Sequence, residues 1–528
     1  MTDAADQTAD RIEAAAPLGG EIGTAERGPS TLAKTAMGTA WTVAWRMVNR
    51  TLGLISTIAL VRLLRPEDFG LVSLAVSFTQ SVELFSFIGI DDALVREKDP
   101  SRATYDTAFT LGLIRGLALA AIISLGAYPA SLFFNEPRLT VIIMALALGF
   151  AVEGATNVGI ADFRRRFDFH LEFQLWIVPR AIGAFSGIIA AYVLRTYWAL
   201  VIATLSHRIP RVIATYIMHP YRPRLTLSEW RRLSSYSFWN WLNGMIAVAS
   251  GQVDTFVIGR TMGATQVGFY GLGGEMASLP QTELVDPLMR TAFSAFSESR
   301  RREESPAEIW LRIASAAALL SVPATLGISL VAHDFVRVVF GERWVAAVPL
   351  VQLFGVFATL GVFSALTNCM FQAYGQLRTQ AAIRSVLMVS RVVVMLLVIH
   401  PYGLIGAAWA GCGLAVVETS TVCVIAFRRI GISFHRQVIP VLWRGLLATA
   451  VMVGSLWALG LGWAPPPVGR DPYLGLFGVS ALGAAIYGVT LGLLWVASGR
   501  PDGPERDLLS TFHRLRRGVF RQVGIGHA

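Results

Sequence analysis

The chain has 528 residues, 54% of them hydrophobic and only 15% charged, with a mean hydropathy of +0.54. A soluble protein carries about 25% charged residues. The deficit here runs along the whole chain, which excludes a soluble domain on one anchor and predicts an all-α, polytopic membrane protein. The formal net charge is +10, but Arg and Lys sit mostly between apolar runs. That is the pattern of topology signals and anionic-lipid contacts, not of nucleic-acid binding.

Residues 1–34 are rich in acids (Asp3, Asp6, Asp10, Glu13, Glu21, Glu26) and are expected to form a disordered cytoplasmic tail without a cleavable signal peptide. At roughly 20 apolar residues per crossing, fourteen spans follow: 38–62, 69–90, 107–128, 139–160, 173–194, 197–218, 235–259, 266–290, 310–332, 346–371, 380–399, 403–427, 441–461 and 473–497. Segment 219–234, with Pro220, Pro223, Arg222, Arg224, Arg231 and Arg232, is expected to be a cytoplasmic linker. It divides an N-lobe (35–218, six spans) from a C-lobe (235–430, six spans). Two further spans lie in 431–499, and 500–528 is a basic cytoplasmic tail.

With both termini cytoplasmic, 29 of the Lys and Arg residues fall on the cytoplasmic side and 8 on the other. The positive-inside rule therefore supports an even number of spans in the cytoplasmic membrane. Cys369, Cys412 and Cys423 form neither CxxC nor CxH, so no disulfide framework and no metal site is expected. No Walker A, GxSxG or HExxH pattern occurs, and no cofactor or enzymatic activity is expected.

The lobes echo each other. A shift of 198 places Trp41 on Trp239, Thr57 on Thr255, Arg62 on Arg260 and Gly70 on Gly268 without a gap. Copies six spans apart share their orientation, which defines a parallel repeat. In that alignment Asp254 stands where the first half has Ser56.

Charges inside spans cost about 2.5–3.5 kcal/mol at the bilayer centre, so each is a functional candidate. Arg46, Asn49 and Arg50 share one face of the first span with Gly53, as a cationic cavity wall or as side chains snorkelling to headgroups. Glu83 and Glu153, the latter with Asn157 four residues on, are candidates for coupling or for structural pairing. The eighth span holds Glu275, Glu283 and Asp286 among Pro280, Pro287 and Arg290, where Arg290 is a ready partner for Asp286. Asp254 is expected to pair with Arg260 or with a polar residue of the first half, and Arg391 with Glu418.

Several stretches carry a resemblance: ALVRLLRPEDFGLVSLAVSF (59–78), FSFIGIDDALVREKD (85–99), RRRFDFH (164–170), IGRTMGATQVGFYGL (258–272), DPLMRTAFSAFS (286–297) and, above all, DFVRVVFGERWVAAVPLVQLF (334–354). Over about 35–500 the chain resembles the Wzx-type flippases of the multidrug/oligosaccharidyl-lipid/polysaccharide superfamily, in the colanic-acid exporter branch. The resemblance implies an alternating-access carrier of an undecaprenyl-diphosphate-linked oligosaccharide. Its diphosphate would lie near arginines, and the partners would be membrane lipids, H+ or Na+, and the polysaccharide polymerase and export machinery. Two relatives of that superfamily are the competing readings, a lipid-linked peptidoglycan precursor flippase and a cation-coupled multidrug antiporter. The first span has no carboxylate between Ala33 and Leu64, which argues against the antiporter. A membrane polymerase is disfavoured by the short loops on the outer side.

Overall fold

The computed structural model describes residues 31–84, 94, 100–165, 168–230, 238–467, 469–501, 503 and 505–506, without the side chains of 31–44, 46, 169 and 238–241. The expected tail up to residue 30, most of the basic tail and most of the 85–99 motif lie outside the described residues. Helix is the rule and no strand occurs among the described residues. In hydrocarbon every backbone N–H and C=O must be satisfied inside its own segment.

The first half holds α1 (Thr31–Leu63), α2 (Pro66–Glu83), α3 (Arg102–Phe134), α4 (Arg138–Gly154), the short α5 (Ala161–Arg165), α6 (Phe169–Leu194) and α7 (Trp198–Met218). The second half holds α8 (Phe238–Met262), α9 (Ala264–Pro280), a π turn (Gln281–Val285) and α10 (Asp286–Arg301). It continues with α11 (Pro306–Leu330), α12 (Ala332–Val339), α13 (Val348–Ala358), α14 (Gly361–Ala373) and α15 (Leu377–Ile430). A pair, α16 (Ile439–Ala458) and α17 (Pro472–Ala497), follows. We call the face where α1 begins proximal and the opposite face distal.

The ends are written in the sequence. The Ser101 hydroxyl accepts from the Thr104 amide at 3.2 Å to start α3, and Asn135 ends it in the left-handed region (φ 54°). Pro306 and Pro472 open their helices, where a missing N–H costs nothing. At 54 residues α15 would reach about 81 Å as one rod, against a hydrocarbon core of about 30 Å. Gly403 (φ 60°, ψ −150°) breaks it, so it makes two passes.

Counted by length and apolarity among the described residues, six helical segments can cross a membrane. The number rises to eight if each of two bent pairs, Arg138–Gly154 with Val158–Arg165 and Glu342–Ala358 with Gly361–Ala373, is one span. The chain is a multi-pass membrane protein. Helices α1, α2, α7, α8 and α9 fall outside that count, and they hold Arg50, Gln80, Arg208, Arg211, Gln252 and Glu275. Charged and amide side chains lower the apolarity of α1, α2, α7 and α8, and α9 is too short to pass.

Helices α1–α7 pack among themselves chiefly as α6 on α7, α3 on α4, α1 on α6 and α4 on α7. In the second half α15 packs on α8, α13 and α14, with α10 on α14 and α11 on α13. Helix α16 rests on α11, and α17 on α12. The bundles meet mainly where α2 lies along α9 and α8. One apolar core crosses this junction, joining Leu71, Leu74, Ile142 and Val201 to Ile258, Val267, Met395 and Ile399.

The linker is held to the first bundle. Buried Asp106 accepts from the Tyr221 hydroxyl at 2.5 Å and from the Arg224 amide at 2.9 Å. The Thr226 amide donates to Thr110 Oγ1 at 2.9 Å. Burial, and then the bond to Asp106, holds the Tyr221 phenol well above the usual tyrosine range. Asn157, expected beside Glu153 on one helix, lies beyond the end of α4. It accepts from the Gly159 amide at 2.9 Å and donates to the Tyr221 carbonyl at 2.8 Å.

Candidate functional site

The interface between the bundles differs at its two faces. At the distal face Gly70 of α2 and Gly268 of α9 meet backbone to backbone. A Cβ on Gly70 would run into the Ala264 carbonyl, and one on Gly268 into the Pro66 carbonyl. The two glycines are the ones the repeat aligns, so equivalent helices touch at equivalent positions. Arg62, at the end of α1, donates to the carbonyls of Val338 and Val339, the latter at 3.1 Å. Fully buried Trp344 donates to the Val61 carbonyl at 3.0 Å. Its ring stands edge-on to Phe69 of the first bundle and Phe269 of the second, with centroids 5.4 and 6.0 Å away. Segment 332–347 thus clamps both bundles.

Deeper toward the proximal face the contacts are polar and sparse. Arg50 Nε lies 2.5 Å from Glu283 Oε1, with side chains 37% and 48% exposed. Gln252 donates to Gln80 Oε1 at 2.9 Å. A pair this exposed contributes about 0.2–1 kcal/mol, far less than a buried tryptophan clamp.

Each bundle also encloses polar space. In the first, a cavity of about 170 Å³ is lined by Glu83, Arg115, Glu153 and Arg211. Glu83 lies 3.6 Å from Arg115, and Glu153 lies 3.5 Å from Arg208 and 3.2 Å from Arg211. The two arginines of α7 also cover the rings of Phe150 and Trp176 at 4.4 and 3.9 Å. In the second bundle an open cavity of about 650 Å³ is lined by Gln281, Arg290, Asn368, Gln372, Arg384 and Glu418. Arg384 and Glu418 also border a cavity of about 170 Å³ that reaches Arg391. There Arg391 grips Asp254 through both ends of its fork, Nε to Oδ1 at 2.6 Å and Nη2 to Oδ2 at 2.5 Å. The Tyr270 hydroxyl adds a third bond at 2.7 Å.

The candidates of the sequence therefore separate into groups. Arg50 and Glu283 come together, and Asn49 lies half-buried on the same helix. The side chain of Arg46 lies outside the described residues. Glu83 and Glu153 share the first bundle's cavity. Glu275 is exposed on α9, within electrostatic reach of Arg50. Asp286 is exposed, and no ion pair joins it to Arg290 among the described residues. Instead Arg290 borders the large cavity. Asp254 pairs with neither Arg260 nor the first half, because α15 brings Arg391 within bonding distance, and Arg391 is thereby taken from Glu418. Arg260 lies over the Phe133 ring at 5.9 Å.

Sequence reasoning missed Trp344 as a clamp. It also missed Arg208, Tyr270 and Arg384. Intramembrane charge was the available signal for Arg208 and Arg384, and nothing local marks Trp344 or Tyr270.

Two helical bundles that meet back to back, shut at one membrane face and joined by few polar contacts toward the other, define a membrane transporter fold. The chain superposes on the lipid II flippase MurJ in an inward closed conformation with a TM-score of 0.69, covering 88% of this chain and 100% of that one at 10% identity, a likeness of fold. The chain belongs to the family described as "Polysaccharide biosynthesis protein", whose signature matches residues 59–349, more than half of its length. It is 25% identical over 328 residues to the lipopolysaccharide biosynthesis protein WzxC of Escherichia coli (strain K12), covering 61% of this chain and 66% of that one. It is 23% identical over 322 residues to the succinoglycan biosynthesis transport protein ExoT of Rhizobium meliloti (strain 1021), covering 59% and 64%. The match thus spans about two thirds of the length of these relatives.

Proposed function

We propose that this protein is a flippase, not an enzyme. It carries an undecaprenyl-diphosphate-linked oligosaccharide repeat unit across the bacterial cytoplasmic membrane for exopolysaccharide or lipopolysaccharide synthesis. The observation that carries the reading is the contrast across the interface: an apolar clamp at the distal face, and Arg50 on the first helix with a weak interbundle pair toward the proximal face. A carrier that alternates needs one face shut while the other parts at little cost. A guanidinium suits the diphosphate, whose oxygens it can engage bidentately.

In this reading the proximal face and both termini are cytoplasmic, in line with the Lys and Arg distribution. The chain makes fourteen crossings, divided into lobes at 35–218 and 235–430 with two added spans in 431–499. The sugar occupies the cleft between lobes beside Arg46, Asn49 and Arg50, while the lipid stays in the bilayer. The protein works beside a polymerase and export machinery. A proton or sodium gradient drives it through the exposed carboxylates Glu275, Asp286 and Glu283, the last paired with Arg50, while Glu83, Glu153 and Asp254 are held in ion pairs within their own bundles.

Deleting the gene is expected to stop export of the polysaccharide and to accumulate its lipid-linked repeat unit, identified by mass spectrometry. Accumulated lipid-linked peptidoglycan precursor in its place would overturn the substrate assignment. Arg50→Ala is expected to abolish complementation at normal membrane abundance, and Arg50→Lys to restore it in part. Collapse of the ion gradient is expected to slow translocation in vesicles, and an unchanged rate would remove ion coupling.

A further inference from the structure

Arg50 is incompletely used by its partner. Its Nε lies 2.5 Å from Glu283, yet Nε and Nη2 are both buried without a hydrogen-bond partner of good geometry among the described residues. A guanidinium can bind an anion through two parallel N–H bonds. Here it sits against one carboxylate by charge alone, and the N–H groups of that edge go unused.

Glu283 stands where the helix is interrupted. It lies in the π turn Gln281–Val285, between Pro280 and Pro287, where α9 gives way to α10. Gln281, in the same turn, fills the notch left by Gly361, where a Cβ would strike its amide. At that glycine the neighbouring segments Glu342–Ala358 and Gly361–Ala373 bend by 49°. Two helices of the second bundle therefore break at one place. π turns and prolines are where helices kink, often at functional sites. The Glu283 side chain is the link from this double break to the first bundle.

Resting on the transport reading above, we infer that Glu283 is a resident stand-in for the substrate's anionic head on Arg50. The diphosphate takes Arg50 from Glu283 because it offers more oxygens and, in Glu283's place, can accept from both unused N–H groups. The freed carboxylate then faces a bound anion of like charge and is driven from α1, and the π turn moves with it. Of the interbundle contacts toward the proximal face described above, the Gln80–Gln252 amide pair then remains. Headgroup binding thus releases the proximal face, while the clamp around Trp344 keeps the distal face shut.

The test uses the full chain in lipid nanodiscs, with farnesyl diphosphate as the probe. Binding is measured by calorimetry, and the proximal gap by the distance between spin labels at Arg102 and Glu303. The expected result for Glu283→Gln is binding about 1.4- to fivefold tighter than in the parent, the range that an exposed ion pair corresponds to, and a longer distance without ligand. The parent is expected to reach that longer distance only on saturation with the diphosphate. Arg50→Ala and the double variant are expected to lose binding and to show the longer distance with or without ligand. Glu283→Asp, one methylene shorter, supplies a second variant with a smaller effect of the same sign. Equal or weaker binding by Glu283→Gln and Glu283→Asp, or a parent distance that stays fixed on saturation, overturns the inference. Polysaccharide export is scored separately in cells. A chain that binds and opens as described but cannot restore export removes the transport reading and leaves this one standing; export without the Glu283 effect does the reverse.

Discussion

At the residue scale, Asp254 shows what a charge in an apolar setting needs. Its carboxylate is buried, and three hydrogen bonds satisfy it, two from Arg391 and one from Tyr270. Removing one member of a buried pair strands the other, which costs about 3–5 kcal/mol. Arg391 retains partial exposure, so Arg391→Ala is expected at the lower end, about 3 kcal/mol. Tyr270→Phe is expected to cost about 1 kcal/mol, the net value of one hydrogen bond. Replacing both charges, as in Asp254→Leu with Arg391→Met, is expected to recover most of the loss. Thermal unfolding in detergent reads all three, and a double variant less stable than Arg391→Ala would refute the account. The sequence singles out Asp254 by its cost, but its partner lies 137 positions away. No spacing rule spans that distance, and Arg260, close in sequence, was the natural but incorrect choice.

At the scale of elements, the distal clamp depends on close approach and on one aromatic plug. Helices α2 and α9 touch through Gly70 and Gly268 because a side chain at either position would meet a carbonyl of the other helix. Gly70→Val is therefore expected to wedge the bundles apart. Trp344→Ala removes a fully buried ring and its bond to Val61, at a cost of about 3–5 kcal/mol. A cysteine at Leu272, buried in this junction, is expected to resist a membrane-impermeant maleimide in the parent and to react in either variant. Protection in both would show that the clamp does not keep this face shut. The repeat made the two glycines visible in the sequence as an aligned pair. That they touch follows from packing α2 on α9, which no alignment contains.

At the scale of the whole molecule, hydropathy alone gives fewer crossings than the full sequence pattern predicts. Six helical segments pass as membrane spans by length and apolarity, while α1, α2, α7 and α8 lose apolar character to polar side chains such as Arg50, Gln80, Arg208 and Gln252, and α9 is short. Fourteen crossings are expected nonetheless, since α15 breaks at Gly403 and the sequence predicts spans over α1, α2, α7, α8 and α9 as well. Single cysteines at Asn135, Thr196, Tyr402 and Leu461 are expected to react with impermeant reagent from outside the cell. Cysteines at Arg301, Gln376 and Gly431 are expected to react only after permeabilisation. The reverse pattern would invert the topology, and a mixed one would lower the number of crossings.

The sequence by itself determined the solvent and the helical class. Each of these follows from local composition or period, because the bilayer forces every spanning segment to satisfy its own backbone. It also marked the costly residues, since a charge in apolar surroundings is conspicuous wherever it ends up. Only the tertiary structure decided the pairings: Arg50 with Glu283, Asp254 with Arg391, Arg62 and Trp344 across the clamp. These join residues separated by more than a hundred positions. Their energies depend on distance, angle and burial, which exist only once the helices have packed.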